Sequence, residues 1–536
     1  MNNSNIRFLS FASLSLLLGL APLACGSDDD TDNPGTAGKG GTSSTAGKSN
    51  SGGDDNGGTS NGGTSNGGTS NGGSLNVGGD ASGGVSGGEG GVGGEGAVAK
   101  SRLRVVHASP NAPAVDVYVK GSSAVAVENV AYGKATEFLE VDAGTIAFDL
   151  RAAGAEATED AAFTSEDITL EAGEDYTLVA AGDFVNTEDA DVKFRILPLQ
   201  HDFDAAEAGT ALARVVHATS AWEDVNLDLA STNAVDLPGL DRFASESNVA
   251  LSTAATEDIA FTNADDEVVS QLVLPKLASK SEVFVIATGN PGFPFRAPAN
   301  GFALLVVDQD GNTSWVKENP WIHVLHSSDV GTVDIYQSTA ATTKLADDLE
   351  QGALAAFQLK ASTAGYTLKA VDSEAVNGSI TSDAQGTTST LLVGEHYLSY
   401  LAGDQIRTLR EQFDLTQTDK VLLRGVHALK TGAIGAQIDF GPLNEAGTAL
   451  ASALIEGVGP GLASAPAGEA LEPGAVTLGA TATGTTTPIY NTLALTATTA
   501  PVAGERDFLL LTGTGATVPT TKLYVVDTSV AGWAVR

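Results

Sequence analysis

From about Lys100 onward, apolar and polar residues alternate with a period of two. Val115, Val117 and Val119 alternate with Asp116, Tyr118 and Lys120, the signature of a strand with one face buried. Similar runs are Thr145–Leu150 after Ala143-Gly144, Tyr176–Ala180 after Ala172-Gly173-Glu174, and Phe194–Leu197. Ser109-Pro110-Asn111-Ala112-Pro113 between the first two strands has the chemistry of a turn. Later runs at Val283–Ala287, Tyr397–Leu401 and Phe508–Leu511 are each followed by a Gly within a few residues. Helical periodicity is weak throughout. Asp347–Leu359 is the best helical segment, with a loop containing one turn as the alternative.

The strand pattern is organised by an internal repeat. Arg104-Val105-Val106-His107-Ala108-Ser109 leads to Val115-Asp116-Val117-Tyr118. Arg214-Val215-Val216-His217-Ala218-Thr219 leads to Val225-Asn226-Leu227-Asp228. Ile322-His323-Val324-Leu325-His326-Ser327-Ser328 leads to Val333-Asp334-Ile335-Tyr336, and Leu423-Arg424-Gly425-Val426-His427-Ala428 leads to Ile438-Asp439-Phe440. The repeated histidines are 110, 109 and 101 residues apart. That period is too long for a solenoid, whose repeats run about 20–50 residues, and matches a domain. About seven short strands per roughly 100 residues, separated by turn signals, predict an all-β fold of four tandem Ig-like β-sandwich domains. The expected boundaries are 100–203, 204–318, 319–415 and 416–536.

The first 99 residues read differently. A short cationic head to Arg7, an apolar run Phe8–Leu20 and small residues before Cys25 form a secretory signal pattern. The run is too short to span a bilayer, which takes about 20 apolar residues. Leu23-Ala24-Cys25 resembles the end of a bacterial lipobox, with Pro22 where Leu is usual. That resemblance implies a signal peptide over 1–24 and lipidation of Cys25, the sole cysteine. More than one acyl chain gives a stable hold on a membrane, at roughly 0.8 kcal/mol per buried CH₂. Gly26 after Cys25, rather than Asp, implies by the same resemblance sorting to the outer membrane. Residues 25–99 follow as a low-complexity tether with three Gly-Gly-Thr-Ser-Asn repeats from Gly57 to Asn71. With almost no large apolar side chains it is expected to be disordered, with a reach of about 45–50 Å. Gly84-Val85-Ser86-Gly87-Gly88 matches a nucleophile-elbow pattern, but Gly-rich flanks replace the strand and helix that motif needs.

Charge narrows the partners. The 536 residues carry a formal net charge of −38. Nucleic-acid binding, which rests on Lys and Arg neutralising phosphates, is excluded as an expectation, and membrane association is assigned to the lipid. Residues 100–203 hold 8 basic and 19 acidic residues, against 6 and 9 in 419–536. Self-repulsion is therefore expected to keep the array extended.

Residues 104–119, Arg-Val-Val-His-Ala-Ser-Pro-Asn-Ala-Pro-Ala-Val-Asp-Val-Tyr-Val, resemble the start of the family catalogued as domain of unknown function 4397. The resemblance implies Ig- or transthyretin-like β-sandwiches, often in tandem, in secreted bacterial proteins, and implies no activity. The third segment keeps His326-Ser327-Ser328 and Val333-Asp334-Ile335-Tyr336. The second has Asn226 in place of Asp, and the fourth has a longer turn without prolines.

Two readings of the repeated polar residues stand side by side. His107, His217, His326 and His427 are ligands or bases, or each donates a ring N–H to a backbone carbonyl and pins the following turn. Recurrence favours the second, because every copy of a fold needs its turn. Asp116, Asp334 and Asp439, with Asn226 as their counterpart, are expected to point outward and to pair with the histidine or with nearby backbone N–H groups. Calcium enters only through acidic loops. Asp308-Gln309-Asp310-Gly311-Asn312 offers oxygens from Asp308, Asp310 and Asn312, yet Asp-Gly between two strands is also a standard hairpin turn. Asp265-Asp266-Glu267 is a similar acidic turn. Otherwise no cofactor is expected. Trp222, Trp315 and Trp321 could stack on sugar rings or pack domain junctions. No Ser/His/Asp arrangement, phosphate loop or His-Glu-x-x-His motif is present. The expected function is a non-enzymatic structural, adhesive or ligand-binding role at the bacterial surface, toward an extracellular glycan or protein. A carbohydrate-binding component of polysaccharide handling is second, and a hydrolytic enzyme third.

Overall fold

The computed structural model describes residues 99–536, apart from 157, 186–187, 231–235, 339–341, 374–383, 430–436, 490–492, 496–498 and 514–520. The signal pattern, Cys25 and nearly all of the tether lie outside the described residues. All described residues belong to one compact unit, Gly73–Arg536. Among them there is no helix.

One strand order recurs four times. Lys100–His107 lies between Asp175–Ala181, to which it is parallel, and Leu139–Asp142, to which it is antiparallel; Arg195–Gln200 completes that sheet. Its partner sheet has the order Val125–Val130, Val115–Val119, Phe148–Ala152, Phe163–Thr164. Thr210–His217 is likewise antiparallel to Ser245–Ser252 and parallel to Glu282–Thr288, while Asp224–Leu229 sits in the facing sheet beside Leu237–Asp241 and Glu257–Thr262. Trp321–Leu325 takes the same place between Leu354–Gln358 and His396–Ala402. Here the two sheets are joined through one parallel pair, Gln385 with Gln405, into eight strands. Val421–His427 closes the series between Glu469–Leu471 and Arg506–Gly513, with Ile438–Pro442 across from it beside Ile455–Val458 and Val476–Ala482.

Each facing pair of sheets encloses an apolar core. In the first, Leu103, Val105, Leu178 and Ala180 meet Val115, Val117, Phe148 and Leu150. The other face of the same strands is also buried. Val106, Ala108, Val179 and Ala181 pack against Val216, Ala218, Phe284, Ile286, Leu305 and Val307 of the second sheet pair. An equivalent interface joins the third and fourth through Leu325, Leu398, Tyr400, Phe508, Leu510 and Val526. Burial on both faces explains why these strands read as near-continuous apolar runs.

The two interfaces share a polar detail. The Thr288 hydroxyl donates to the Ala108 carbonyl, and the Thr512 hydroxyl donates to the Ser327 carbonyl at 2.7 Å. Ala108 and Ser327 each follow the repeated histidine, and each threonine follows the residue paired with the second histidine of its pair, Ala287 or Leu511. The first two sheet pairs are therefore docked in the same manner as the last two. Between these couples runs the loop 289–301. Its Arg296 guanidinium pairs with Glu395 and Glu411, and its Phe295 N–H donates to the Gly394 carbonyl.

Three expectations change. The sheet pairs are not held apart by charge, because two apolar interfaces outweigh the repulsion between exposed carboxylates. Asp347–Leu359 contains no helix: Thr342–Leu349 ends, Glu350-Gln351-Gly352 turns, and Leu354–Gln358 returns. The repeated aspartates do not point to solvent: Asp116, Asp334 and Asp439 are 6%, 6% and 8% exposed.

Candidate functional site

His107, His217 and His427 end equivalent strands, His326 directly follows the corresponding strand Trp321–Leu325, and all four are buried. Each is clasped by the same backbone ring. The His107 N–H donates to the Lys134 carbonyl, and the His107 carbonyl accepts from the Gly133 N–H. His217 does this with Ala244 and Phe243, His326 with Ala353 and Gly352, and His427 with Leu462 and Gly461. The residues closing the ring, Gly133, Phe243, Gly352 and Gly461, all have positive φ. Three glycines take that conformation without strain. The imidazoles of His107 and His326 reach carbonyls in the next turn, Pro113 at 3.0 Å and Gly331 at 2.8 Å. Neither ring nitrogen of His217 has a hydrogen-bond partner, and burial, with Arg242 nearby, lowers its pKa to about 4. Burial likewise pushes His107 and His326 below the ordinary imidazole value. These rings are held neutral.

The repeated Asp or Asn caps a bulge. In each sheet pair, the strand hydrogen-bonded beside it slips register, and a residue there takes positive φ: Asn129, Gly239, Asp348 and Gly457. The N–H of that residue donates to Asp116 Oδ1 at 2.7 Å, Asn226 Oδ1 at 2.8 Å, Asp334 Oδ1 at 3.0 Å and Asp439 Oδ1 at 2.7 Å. A bulge leaves a backbone donor without a ladder partner, and this side chain supplies the acceptor. Asp116 also accepts from the Gly154 N–H, and Asp439 from the Thr483 hydroxyl. At Asp334 burial works to raise the pKa, but the Lys344 ammonium and the Asp348 N–H outweigh it and hold the carboxyl below its usual value.

The other sequence candidates resolve as follows. Asp308 Oδ1 accepts from the N–H groups of Asp310 and Asn312, and the Asn312 amide donates to Asp308 Oδ2. The segment is a hairpin turn closed on itself. Trp222 packs edge-on against Phe302 at 4.8 Å, and Trp315 lies against Tyr132 and Phe295 at 5.2 and 5.0 Å. Trp321 lies beside His323. These tryptophans are used inside the molecule. A cleft of about 660 Å³ opens beside Asp116, lined also by Tyr118, Glu128, Asn129 and Glu156. A smaller one, about 220 Å³, lies where Asp228 and Asp258 meet Asn319 and Lys360.

Two buried polar clusters were not singled out from the sequence. The first brings Glu318, His323 and His396 together, all at most 2% exposed. His323 Nε2 is 3.4 Å from His396 Nδ1, and His396 Nε2 is 3.9 Å from Glu318 Oε1. Trp533 stacks on His323 with centroids 4.0 Å apart and an interplanar angle of 6°. Burial pushes Glu318 up to about 8, with Trp321 and Ser270 partly offsetting it, and lowers His396 to about 3. A signal existed: His323 stands three residues before its repeated histidine, where the other segments have Arg104, Arg214 and Arg424. Arg104 and Arg424 lie over Phe284 and Phe508, and burial lowers both to about 10. The second cluster is Glu505, Asp507 and Asp527. Among the described residues, the only other group of three or more potential ligands so close is Asp334, Asp347 and Asp348. None of the four repeated histidines takes part in either group.

Residues 101–228 match the family described as domain of unknown function (DUF4397). No curated protein matches the chain. Among solved structures, the Bacillus anthracis TIE protein is similar over 78% of this chain and 69% of that one, with 11% identity and a TM-score of 0.13. A product complex of SpuA, a multi-modular glycogen-degrading pneumococcal virulence factor, is similar over 51% and 36%, with 10% identity and a TM-score of 0.14. At such TM-scores neither likeness carries an argument.

Proposed function

We propose that this protein is a lipid-anchored, surface-displayed and non-enzymatic component of a bacterial cell envelope. In this reading Cys25 carries the acyl chains, residues 26–99 form the tether, and 100–203, 204–318, 319–415 and 416–536 are four β-sandwich modules with a structural or adhesive role. One observation carries the non-enzymatic part. The recurring titratable side chains serve the backbone: His107 and His326 bond turn carbonyls, and Asp116, Asp334 and Asp439 cap bulges. A catalytic acid or base needs reach to a substrate proton, and groups so engaged and buried do not offer it. The internal packing of Trp222 and Trp315 weighs against a stacked-sugar site.

The test compares the full chain with His107→Ala for binding to whole cells and to a glycan array, alongside thermal melting. The expected result is a lower melting point with cell binding unchanged. Lost binding at an unchanged melting point would overturn the reading. For the anchor, palmitate labelling in cells is expected in the wild type and absent from Cys25→Ser; an unlabelled wild type refutes it.

A further inference from the structure

Glu505 and Asp507 are two residues apart at the start of the strand Arg506–Gly513. They continue inward the face that carries Leu509 and Leu511 into the core. Asp527 is the direct antiparallel partner of Asp507, on the face of Leu523 and Val525. Three carboxylates thus lie at the end of an apolar core, 3%, 0% and 3% exposed. One oxygen from each lies within 4.8 Å of the others. Like charges directly opposite on a sheet repel, and burying unpaired carboxylates costs more still.

The neighbours satisfy only part of this charge. Glu505 accepts from Arg536 Nη1 at 2.5 Å and from the Val502 N–H at 2.9 Å. Asp527 accepts from Arg536 Nη2 at 2.8 Å, and from the N–H and hydroxyl of Ser529 at 2.8 and 2.5 Å. No N–H or hydroxyl donates to either oxygen of Asp507; its hydrogen-bond neighbour is the Glu505 carboxyl, which it can meet only by holding a proton. Arg506, one residue along, gives its guanidinium to the Gly504 carbonyl.

We propose that Glu505, Asp507 and Asp527 form a calcium site, with Asp507 as the ligand held open for the ion. Calcium accepts carboxylate oxygens at about 2.3–2.6 Å, so ligands up to about 5 Å apart can share it. Magnesium, at about 2.0–2.1 Å with rigid octahedral demands, fits that spread less well. The Arg536 guanidinium reaches only two of the three carboxylates, Glu505 and Asp527, so the group keeps an excess of negative charge that a divalent cation offsets. Without the ion, burial and the neighbouring Glu505 and Asp527 hold Asp507 well above the usual carboxyl pKa, so a proton is the competitor for the same place.

The experiment uses the full chain, stripped with a chelator and titrated with calcium or magnesium at neutral pH. Calorimetry reads stoichiometry and a thermal scan reads the unfolding midpoint. The expected result is a calcium-specific rise in the midpoint and one bound ion that Asp507→Asn loses. Asp310→Asn, in the self-closed hairpin, keeps the response. No heat and no midpoint shift in the wild type would overturn the site, as would an undiminished response in Asp507→Asn. Should Asp507→Asn not fold, Glu505→Gln takes its place, and undiminished calcium binding there overturns the site equally.

Discussion

Replacing Asp116 isolates the bulge cap. Its carboxylate is 6% exposed and accepts two backbone N–H groups, from Asn129 at 2.7 Å and Gly154 at 2.8 Å. Hydrogen bonds to a charged group contribute about 1.5–3 kcal/mol each. Asp116→Ala removes both, for a loss of about 3–6 kcal/mol. Asp116→Asn keeps one acceptor oxygen but turns an NH₂ toward the other N–H, for a loss of about 1.5–3 kcal/mol. The second sheet pair shows what a true Asn site requires. Asn226 Oδ1 accepts the Gly239 N–H, while its amide has acceptors in the Thr262 hydroxyl and the Asn263 carbonyl. Position 116 faces donors on both sides. Hydrogen exchange by mass spectrometry, on peptides spanning 123–131 and 148–156, reads the local opening. At about 1.4 kcal/mol per factor of ten, Asp116→Asn speeds exchange near Gly154 by about ten- to a hundredfold, and Asp116→Ala exceeds that. Wild-type exchange in Asp116→Asn would refute the capping argument.

Further outcomes follow from the same contacts. His217 has a folded pKa of about 4 against an ordinary 6.5. The unfolded chain therefore takes up the proton first, and stability present above pH 6.5 is lost as pH falls toward 4, by about 3 kcal/mol. Denaturation of His217→Gln at pH 7 and pH 4.5 is expected to show a smaller pH penalty than the wild type; equal penalties sink the assignment. Trp533→Ala removes a ring that stacks on His323 and packs near Phe508, so it destabilises by about 3–5 kcal/mol, measured by chemical denaturation; less than about 1 kcal/mol would contradict the packing. Thr288→Val and Thr512→Val each withdraw a donor from a buried carbonyl. Both are expected to cost about 1–3 kcal/mol, and a large effect at one position with none at the other would deny the equivalence of the two interfaces.

The strand pattern was legible because its cause is local. Val115, Val117, Phe148 and Leu150 alternate as the sequence predicts and meet in one core. The turn at Asp308 was legible for the same reason: its donors lie two and four residues away. Failures arise where the deciding contact is remote. Asp116 looks like a solvent-facing strand residue until Asn129 and Gly154 fold over it. Asp347–Leu359 has helical spacing, but the Leu354–Gln358 ladder with Trp321–Leu325 claims its second half. The burial of Val106 and Val179 on a second face depends on Val216 and Ile286, over one hundred residues further along. Glu318, His323 and His396 meet for the same kind of reason, and Asp507 and Asp527 become neighbours only through sheet pairing.

The position of Lys100–His107 has a mechanical consequence. The strand sits inside its sheet, with Arg102–His107 in parallel register against Asp175–Ala180 and Lys100–Leu103 in antiparallel register against Leu139–Asp142. Tension arriving along the chain from before Ala99 and directed along this strand pulls it lengthwise past both neighbours. Rungs stretched in shear yield together, whereas an edge strand peeled crosswise gives way one rung at a time. The point where a drag force would enter the folded body is therefore built to resist being drawn out.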